Sequence, residues 1–207
     1  MSGAGEAVSV GPVFPVFLKL AGRRVLLVGG GPVASGKLAG LLGAGAQVTV
    51  VAPKIRPEIE AAEVTVLPRP FEPSDVDGAW LVVAAATPEV NREVAAAAEE
   101  RRVFVNAVDD PWAASAYTGG VFRRDGVTIA VSTGGRAPAL AGLLREALET
   151  VIPEDVGTWV DEARRLRERQ KAEGIPLARR RPLLLDALNR LYTARGVDSP
   201  AGAEARA

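Results

Sequence analysis

The first half of the chain alternates short apolar runs with helical stretches, and this alternation restricts the available folds most strongly. The apolar runs are Arg24–Val28, Gln47–Val51, Val64–Leu67, Trp80–Ala84 and Val103–Asn106. Helical patterns at Val33–Leu42 and Pro88–Arg101 lie between runs. Runs that are apolar throughout are typical of parallel strands buried on both faces. Because the crossovers between parallel strands are right-handed, we expect an α/β fold with a doubly wound parallel sheet.

The alternation of apolar runs and helical stretches ends at Asp110-Pro111. Val127–Ser132 alternates like a strand and follows a predicted turn at Arg123–Gly126, and Pro138–Val151 carries a leucine stripe at helical spacing. Beyond Pro153 the pattern is helical, at Val156–Lys171 and Pro182–Ala194. We therefore predict a flexible arm at 1–12, the α/β domain at 13–115, a small α+β segment at 116–152 and a helical C-terminal domain at 153–207.

Composition excludes several classes of protein. The chain has 25 Lys+Arg and 25 Asp+Glu among 207 residues, so it carries no overall charge with which to hold nucleic acid or an anionic membrane. No run of 18 apolar residues occurs, and the N-terminal sequence does not resemble a secretory signal. We expect a cytoplasmic protein, which the lack of cysteine also fits.

The chain contains no histidine and no cysteine. Metal sites built on imidazole or thiolate, disulfides and nucleophiles paired with histidine are thereby excluded. Proton transfer is left to Asp, Glu, Lys, Tyr and bound water, and we predict no resident metal site.

A glycine-rich turn directly follows the first predicted strand. Gly29-Gly30-Gly31-Pro32-Val33-Ala34 matches the G-x-G-x-x-G/A pattern of dinucleotide-binding Rossmann domains. Gly29 would allow the tight turn, Gly31 would let a pyrophosphate approach the backbone, and Ala34 would let helix and strand pack closely. Pro32 fits the first helical position, where a missing N–H costs little. The alternative is an ordinary strand–helix turn without a ligand.

The residues after the second strand leave the choice of dinucleotide open. An Asp or Glu at this position usually binds the ribose 2′-hydroxyl of NAD, whereas this chain has Ala52-Pro53-Lys54. Lys54 and Arg56 could accept the 2′-phosphate of NADP, or could be ordinary solvated loop charges.

Small and polar residues follow the fourth and fifth strands. The carboxyl ends of these strands share one edge of a parallel sheet, where ligands of doubly wound folds bind. Ala85-Ala86-Thr87 would let a dinucleotide lie across this edge, and Asn106 could orient the carboxamide of nicotinamide or the substrate. Partial burial of Asp109 would raise its pKa and suit it to act as a base. The alternatives are a tightly packed strand end and a turn at Asp109-Asp110-Pro111.

Six segments together resemble the precorrin-2 dehydrogenase family, the dehydrogenase and ferrochelatase module of siroheme synthase. They are Phe14–Leu18, Gly22–Lys37, Val48–Pro53, Ala84–Asn91, Val105–Pro111 and Val131–Glu149, and the resemblance covers about residues 13–153. It implies a homodimer that dimerises through the 116–152 segment and oxidises precorrin-2, a tetrapyrrole, to sirohydrochlorin with NAD. Some family members also insert ferrous iron, and we expect this activity to be weak or absent here.

The resemblance also implies roles for individual residues. Asp109 is the expected catalytic general acid/base. Cofactor contacts are expected from Gly29, Gly30, Gly31, Pro32, Val33, Pro53, Lys54, Ala85, Ala86, Thr87 and Asn106. Substrate contacts are expected from Ser132, Thr133, Gly134, Gly135 and Arg136. Arg123 and Arg124 are further candidates for the substrate carboxylates, or members of a solvated turn.

Some features depart from the family or favour other functions. Residues Trp112–Gly120 differ from the more apolar stretch usual in the family, and the methyltransferase domain of long siroheme synthases has no counterpart. A short-chain dehydrogenase is excluded because Tyr-x-x-x-Lys does not occur. The remaining alternative is a non-catalytic NAD(P)-sensing module that acts through its C-terminal helices.

Overall fold

The computed structural model describes residues 13–193, which form two compact units. The first unit comprises residues 13–119 and 132–138, and the second comprises 120–131 and 139–193. The predicted arm at 1–12 lies outside the described residues, as does Ala194 at the end of the last predicted helix. The sequence-based domain bounds remain predictions.

The first unit is a parallel sheet with interleaved helices, which confirms the predicted fold class. Its elements are β1 (Arg24–Val28), α1 (Pro32–Gly43), β2 (Gln47–Val51), α2 (Pro57–Glu60), β3 (Thr65–Leu67), β4 (Leu81–Ala84), α3 (Pro88–Glu100) and β5 (Phe104–Ala107). The strand order is β3-β2-β1-β4-β5, and every pairing in it is parallel. The chain order reverses between β1 and β4, so the carboxyl ends of these strands form the switch point where such sheets bind ligands.

Apolar side chains cover both faces of this sheet because successive residues of a strand point to opposite sides. On one face, Leu27 and Val83 pack with Ala34 and Leu38 of α1. On the other face, Val28, Val82, Ala84 and Val105 pack with Val94, Ala97 and Ala98 of α3. The sheet is therefore a rigid platform whose carboxyl edge carries the connecting loops.

A buried carboxylate stabilises the connection between β3 and β4. A single 3₁₀ turn spans Pro73–Val76, and Asp75 within it is only 6% exposed. Arg69 donates to both carboxylate oxygens of Asp75, at 2.9 and 2.5 Å. The backbone N–H of Glu72 donates to the same carboxylate, which completes a capping box.

The second unit contains a hairpin and three helices. Strands β6 (Gly120–Arg124) and β7 (Val127–Val131) pair antiparallel, and Asp125-Gly126 turns between them with φ of 43° and 85°. The helices are α4 (Pro138–Val151), α5 (Val156–Ala172) and α6 (Leu177–Thr193). Strand β6 was not predicted, and α6 begins five residues earlier than predicted. No helix in the described part of the chain has the length and apolar character needed to cross a membrane.

Candidate functional site

The glycine turn after β1 is packed against the end of β4. Gly29 has φ of 129°, a conformation that side chains other than hydrogen rarely allow. A Cβ atom on Gly29 would lie closer than 3.0 Å to backbone atoms of Ala85. The N–H of Gly29 donates to the Val51 carbonyl at 2.9 Å, which also joins the turn to β2. Glycine is therefore required here by both conformation and space.

Gly30 brings the loop after β2 onto the same turn. A Cβ atom on Gly30 would lie within 3.0 Å of the Lys54 carbonyl group and of Ile55 Cα. The N–H of Arg56 donates to the Gly30 carbonyl at 3.1 Å. The motif itself assigns no role to its second residue, so this requirement for glycine was not visible in the sequence.

Gly31 has the properties expected of a residue beside a bound anion. Gly31 is the N-cap of α1, and no side chain caps the helix there. A Cβ atom placed on Gly31 would meet nothing within 4 Å. The first hydrogen bond within α1 runs from Ser35 N to the Gly31 carbonyl, so the N–H groups of Val33 and Ala34 precede the helical ladder. Open space, unengaged N–H groups and the positive end of a helix together fit the pyrophosphate of a dinucleotide.

The loop after β2 carries an ion pair beside this turn. Pro53 and Lys54 are exposed. Arg56 donates to Glu58 through two bonds, Nε to Oε2 and Nη2 to Oε1, each 3.0 Å long. The hydrogen bond from Arg56 lowers the pKa of Glu58 to about 2, and the same bond raises the pKa of Arg56. The Arg56 guanidinium considered above for a 2′-phosphate is thus already paired.

Asn91 joins the ends of β4 and β5. Its side chain is 3% exposed, and its Oδ1 accepts the N–H of Ala86 at 2.9 Å. Its Nδ2 donates to the Val108 carbonyl at 3.3 Å. Asn91 was not among the predicted site residues, although the sequence carries one signal for it. It is a polar residue on the stripe of α3 that also carries Val94 and Ala98.

Asn106, at the end of β5, takes part in hydrogen bonds within the first unit. It is 6% exposed, and its Nδ2 donates to the Ala116 carbonyl at 2.9 Å. Its Oδ1 accepts the Thr118 hydroxyl at 3.4 Å, and Lys37 Nζ donates to that hydroxyl oxygen at 2.8 Å. These contacts give Asn106 a role in holding residues 116–118, and its contact with a cofactor stays a prediction.

Asp109 lies just beyond β5 at the carboxyl edge. The N–H of Val108 donates to the Ala84 carbonyl at 2.9 Å, which places Asp109 beside the end of β4. Asp109 has φ of 59° and is exposed, so the expected partial burial is wrong. The physical reason is that the chain leaves the sheet in a turn here, beyond the last buried residue of β5. The turn interpretation holds for Asp110, whose Oδ1 accepts the N–H groups of Trp112 and Ala113 at 3.1 Å.

The loop Ser132–Arg136 belongs to the first unit and lies against the segment that follows Asp109. A Cβ atom on Gly135 would lie 3.3–3.4 Å from side-chain atoms of Pro111 and Tyr117. Within the loop, Ser132 Oγ accepts the N–H of Gly134, and Thr133 Oγ1 accepts the N–H of Ala137, both at 3.1 Å. Gly134 and Gly135 both have positive φ, and Arg136 is exposed. The first unit thus combines the glycine turn, Asp109 and this loop.

Two further candidates, Arg123 and Arg124, belong to the second unit. Arg124 donates to the Ile152 carbonyl at 2.5 Å and lies over the Phe122 ring, so it serves packing within the second unit. Arg123 is exposed in β6. Across residues 13–193, no cluster of three or more Asp or Glu side chains is suited to hold a metal ion.

Comparison with known families identifies two regions of the chain. A family model described as putative NAD(P)-binding matches residues 16–120. A second model, described as sirohaem biosynthesis protein central, matches residues 124–150. The two matches together extend from before β1 to the end of α4.

Curated relatives and a solved structure show the same likeness. Siroheme synthase 3 of Aeromonas hydrophila subsp. hydrophila is 45% identical over 172 residues, which cover 81% of this chain and 37% of that protein. The siroheme synthase of Photorhabdus laumondii subsp. laumondii is 39% identical over 180 residues, 84% of this chain and 38% of that protein. The solved structure of SirC, precorrin-2 dehydrogenase, is similar with a TM-score of 0.65 and 25% identity, and the match covers 84% of this chain and 88% of that one. The chain therefore spans less than two fifths of these curated relatives.

Proposed function

The chain belongs to the siroheme-biosynthesis family that includes precorrin-2 dehydrogenase, and from this premise we propose that it oxidises precorrin-2 to sirohydrochlorin with NAD. The family resemblance predicted from the sequence is thereby confirmed. One observation carries the proposed activity most strongly. The open, bare-backbone turn at Gly31, the Asp109 carboxylate and the polar loop 132–136 belong to one compact unit.

The residues at the carboxyl edge fit a bound NAD. When bound, NAD supplies the hydride acceptor of the reaction. Gly31, Pro32 and Val33 would hold the pyrophosphate at the start of α1, with Gly29 and Gly30 shaping the turn. Pro53 and Lys54 would contact the adenosine end, and the segment 85–87 the nicotinamide end. The NAD(P)-binding family model and the likeness to a precorrin-2 dehydrogenase support this cofactor.

Asp109 is proposed to move the proton. Loss of hydride from the substrate must be accompanied by loss of a ring proton, and a positioned base accelerates this transfer about 10²–10⁴-fold. Histidine is absent from the sequence, so a carboxylate is the natural base. Asp109 supplies one at the same edge as the glycine turn, and its exposure leaves the carboxylate accessible to substrate and water.

The loop 132–136 is proposed to bind the carboxylates of precorrin-2. The exposed Arg136 can grip a carboxylate through two hydrogen bonds. The hydroxyls of Ser132 and Thr133 already accept backbone N–H groups, and their protons remain free to be donated to a substrate oxygen. The positive φ of Gly134 and Gly135 shapes this loop.

The test is to incubate the purified chain anaerobically with precorrin-2 and NAD and to record reduced cofactor and the sirohydrochlorin spectrum. Equal amounts of the two products, dependent on the chain, are expected. Binding of NAD without turnover would favour the sensing module instead. Absence of both binding and turnover would overturn the proposal.

Iron insertion is proposed to be weak or absent, because the chain offers neither imidazole nor thiolate to deliver ferrous iron. Anaerobic spectroscopy of sirohydrochlorin with ferrous iron, with and without the chain, tests this point. Siroheme formation well above the uncatalysed background would contradict it.

A homodimer and a cytoplasmic location complete the proposal. Helix α4 supports the homodimer, since several of its apolar side chains are exposed, as is typical of interaction surfaces. These are Leu140, Leu143, Leu144, Leu148 and Val151. Light scattering after size-exclusion chromatography should give twice the chain mass of 21.6 kDa, and the monomer mass would contradict the dimer.

A further inference from the structure

We propose that the Arg56–Glu58 ion pair makes the site prefer NAD to NADP, because Glu58 occupies the guanidinium that would otherwise bind the 2′-phosphate. This inference rests on the proposed dinucleotide site. It assigns a specificity-determining role to two residues of the loop after β2.

The position of the pair follows from backbone contacts. The N–H of Arg56 donates to the Gly30 carbonyl at 3.1 Å, and the Lys54 carbonyl lies against Gly30. The loop is therefore fixed to the phosphate-binding turn at the carboxyl end of β2. In doubly wound domains this is where the adenosine ribose is recognised, by an acidic residue for NAD or by a nearby arginine for NADP.

The geometry of the pair explains why the Arg56 guanidinium is not available to a 2′-phosphate. Arg56 contacts Glu58 through two parallel bonds of 3.0 Å, the arrangement with which a guanidinium also binds phosphate. A 2′-phosphate must therefore displace the Glu58 carboxylate and approach its negative charge. The low pKa of Glu58 keeps that charge in place throughout the neutral range.

The composition of the loop makes Glu58 the relevant acid. Residues 52–54 carry no carboxylate, so the acid usually found at the end of β2 is missing. Glu58 supplies a negative charge four residues later, at the start of α2, while Lys54 and Arg56 supply two positive charges. With Glu58 present, the cations are partly neutralised. Without it, the charge of Arg56 is no longer paired, and Glu60 is the acid that remains in α2.

The exposure of the pair makes the preference easy to change. The Arg56 and Glu58 side chains are 45% and 57% exposed, so neither supports the core. An exposed pair contributes little to stability, and replacing Glu58 should leave the fold intact. The effect of the change should therefore appear in ligand binding.

The experiment is calorimetric titration of the full chain with NAD and, separately, with NADP. For Glu58→Gln, the Kd for NADP is expected to fall about tenfold, as a newly freed charge-assisted contact provides, while the Kd for NAD changes less than about threefold. The double variant Arg56→Gln/Glu58→Gln should lose the gain for NADP. Glu60→Gln is the matched control, because it removes one exposed charge from the same helix and leaves the pair in place.

The outcomes separate this inference from the proposed function. If Glu58→Gln binds NAD normally and its NADP affinity is unchanged, or if Glu60→Gln gives the same gain, the role of the pair is overturned and the dehydrogenase proposal stands. If the unaltered chain binds precorrin-2 and NAD without turnover, the dehydrogenase proposal fails and the binding ratio still tests the pair. Failure of the unaltered chain to bind NAD would overturn both.

Discussion

Gly29 lies so close to the backbone of Ala85 that the two residues hold the ends of β1 and β4 together without any side chain between them. This contact lies at the switch point of the sheet, between the carboxyl ends of β1 and β4. Gly31, two residues later, has open space beside it instead. Gly29 and Gly30 therefore serve packing of the turn, whereas Gly31 leaves space for a ligand.

Alanine at these positions should separate folding from binding. Gly29→Ala introduces both a clash with Ala85 and an unfavourable φ, and should lower the free energy of unfolding by about 2–4 kcal/mol. Gly31→Ala should cost no more than about 1 kcal/mol, the difference between glycine and alanine at an N-cap. It should nevertheless weaken NAD binding at least tenfold, about 1.4 kcal/mol, by filling the space beside the N–H groups. Urea denaturation and calorimetry measure the two effects. Equal loss of stability in both variants would contradict this division.

Asp109 is tested best by asparagine, which tolerates the positive φ of this position and removes the charge. Asp109→Asn should bind NAD as the unaltered chain does and oxidise precorrin-2 about 10²–10⁴-fold more slowly. The more disruptive Asp109→Ala should show the same kinetic loss. Asp110→Asn is the neighbouring control and should keep its turn, because its side-chain oxygen can still accept the N–H groups. Unchanged turnover of Asp109→Asn would move the proton-transfer role elsewhere.

Asn91 should matter for stability and for the geometry of the edge. Asn91→Ala leaves the Ala86 N–H and the Val108 carbonyl without their buried partner, which should cost about 1–3 kcal/mol of unfolding free energy for the unmet groups. Because Val108 precedes Asp109, we also expect kcat to fall more than NAD affinity. Asn91→Asp keeps an acceptor for the Ala86 N–H but sets a buried carboxylate against the Val108 carbonyl, so it should recover no stability at pH 7. If the alanine variant were as stable and active as the unaltered chain, the bridging role would be wrong.

The lowered pKa of Asp75 should make the stability of the chain depend on pH in a specific way. The hydrogen bonds from Arg69 hold the pKa of Asp75 below its usual value in the folded chain. The resulting stabilisation is fully present above the unfolded-state pKa of about 4 and is lost as the pH falls through the lower folded-state value. Asp75→Asn should therefore be less stable at pH 7 and should lose less stability than the unaltered chain below pH 4. Glu99→Gln, which removes an exposed carboxylate, should follow the unaltered chain. Parallel curves for Asp75→Asn and the unaltered chain would contradict this assignment.

The sequence predicted the sheet well because its pattern is physically simple. Strands β1 and β2 have the predicted bounds, since both carry buried apolar residues on two faces. Helix α4 also has its predicted bounds, starting at the proline and following the leucine stripe. Strand β6 was missed because Arg123 and Arg124, at its end, resemble turn residues, and the actual turn is the Asp125-Gly126 pair that follows them.

The site was only partly predictable. The glycine motif and the carboxyl edge follow from local rules, which is why the motif residues and Asp109 could be selected. The exposure of Asp109 and the contact of Gly30 with Lys54 depend on how separate loops meet, and no local pattern encodes them. The Arg56–Glu58 pair was missed for the same reason, and Asn91 was missed although its place on the apolar stripe of α3 gave a signal. Their roles depend on partners that are only revealed by the fold.

The most direct measurement is a crystal structure of the chain with bound NAD. We expect the pyrophosphate against the backbone of Gly31 and the first turn of α1, and the nicotinamide beside the segment 85–87 with the Asp109 carboxylate facing the substrate side of the ring. A dinucleotide bound away from the glycine turn, or one whose nicotinamide lies far from Asp109, would contradict the proposed site.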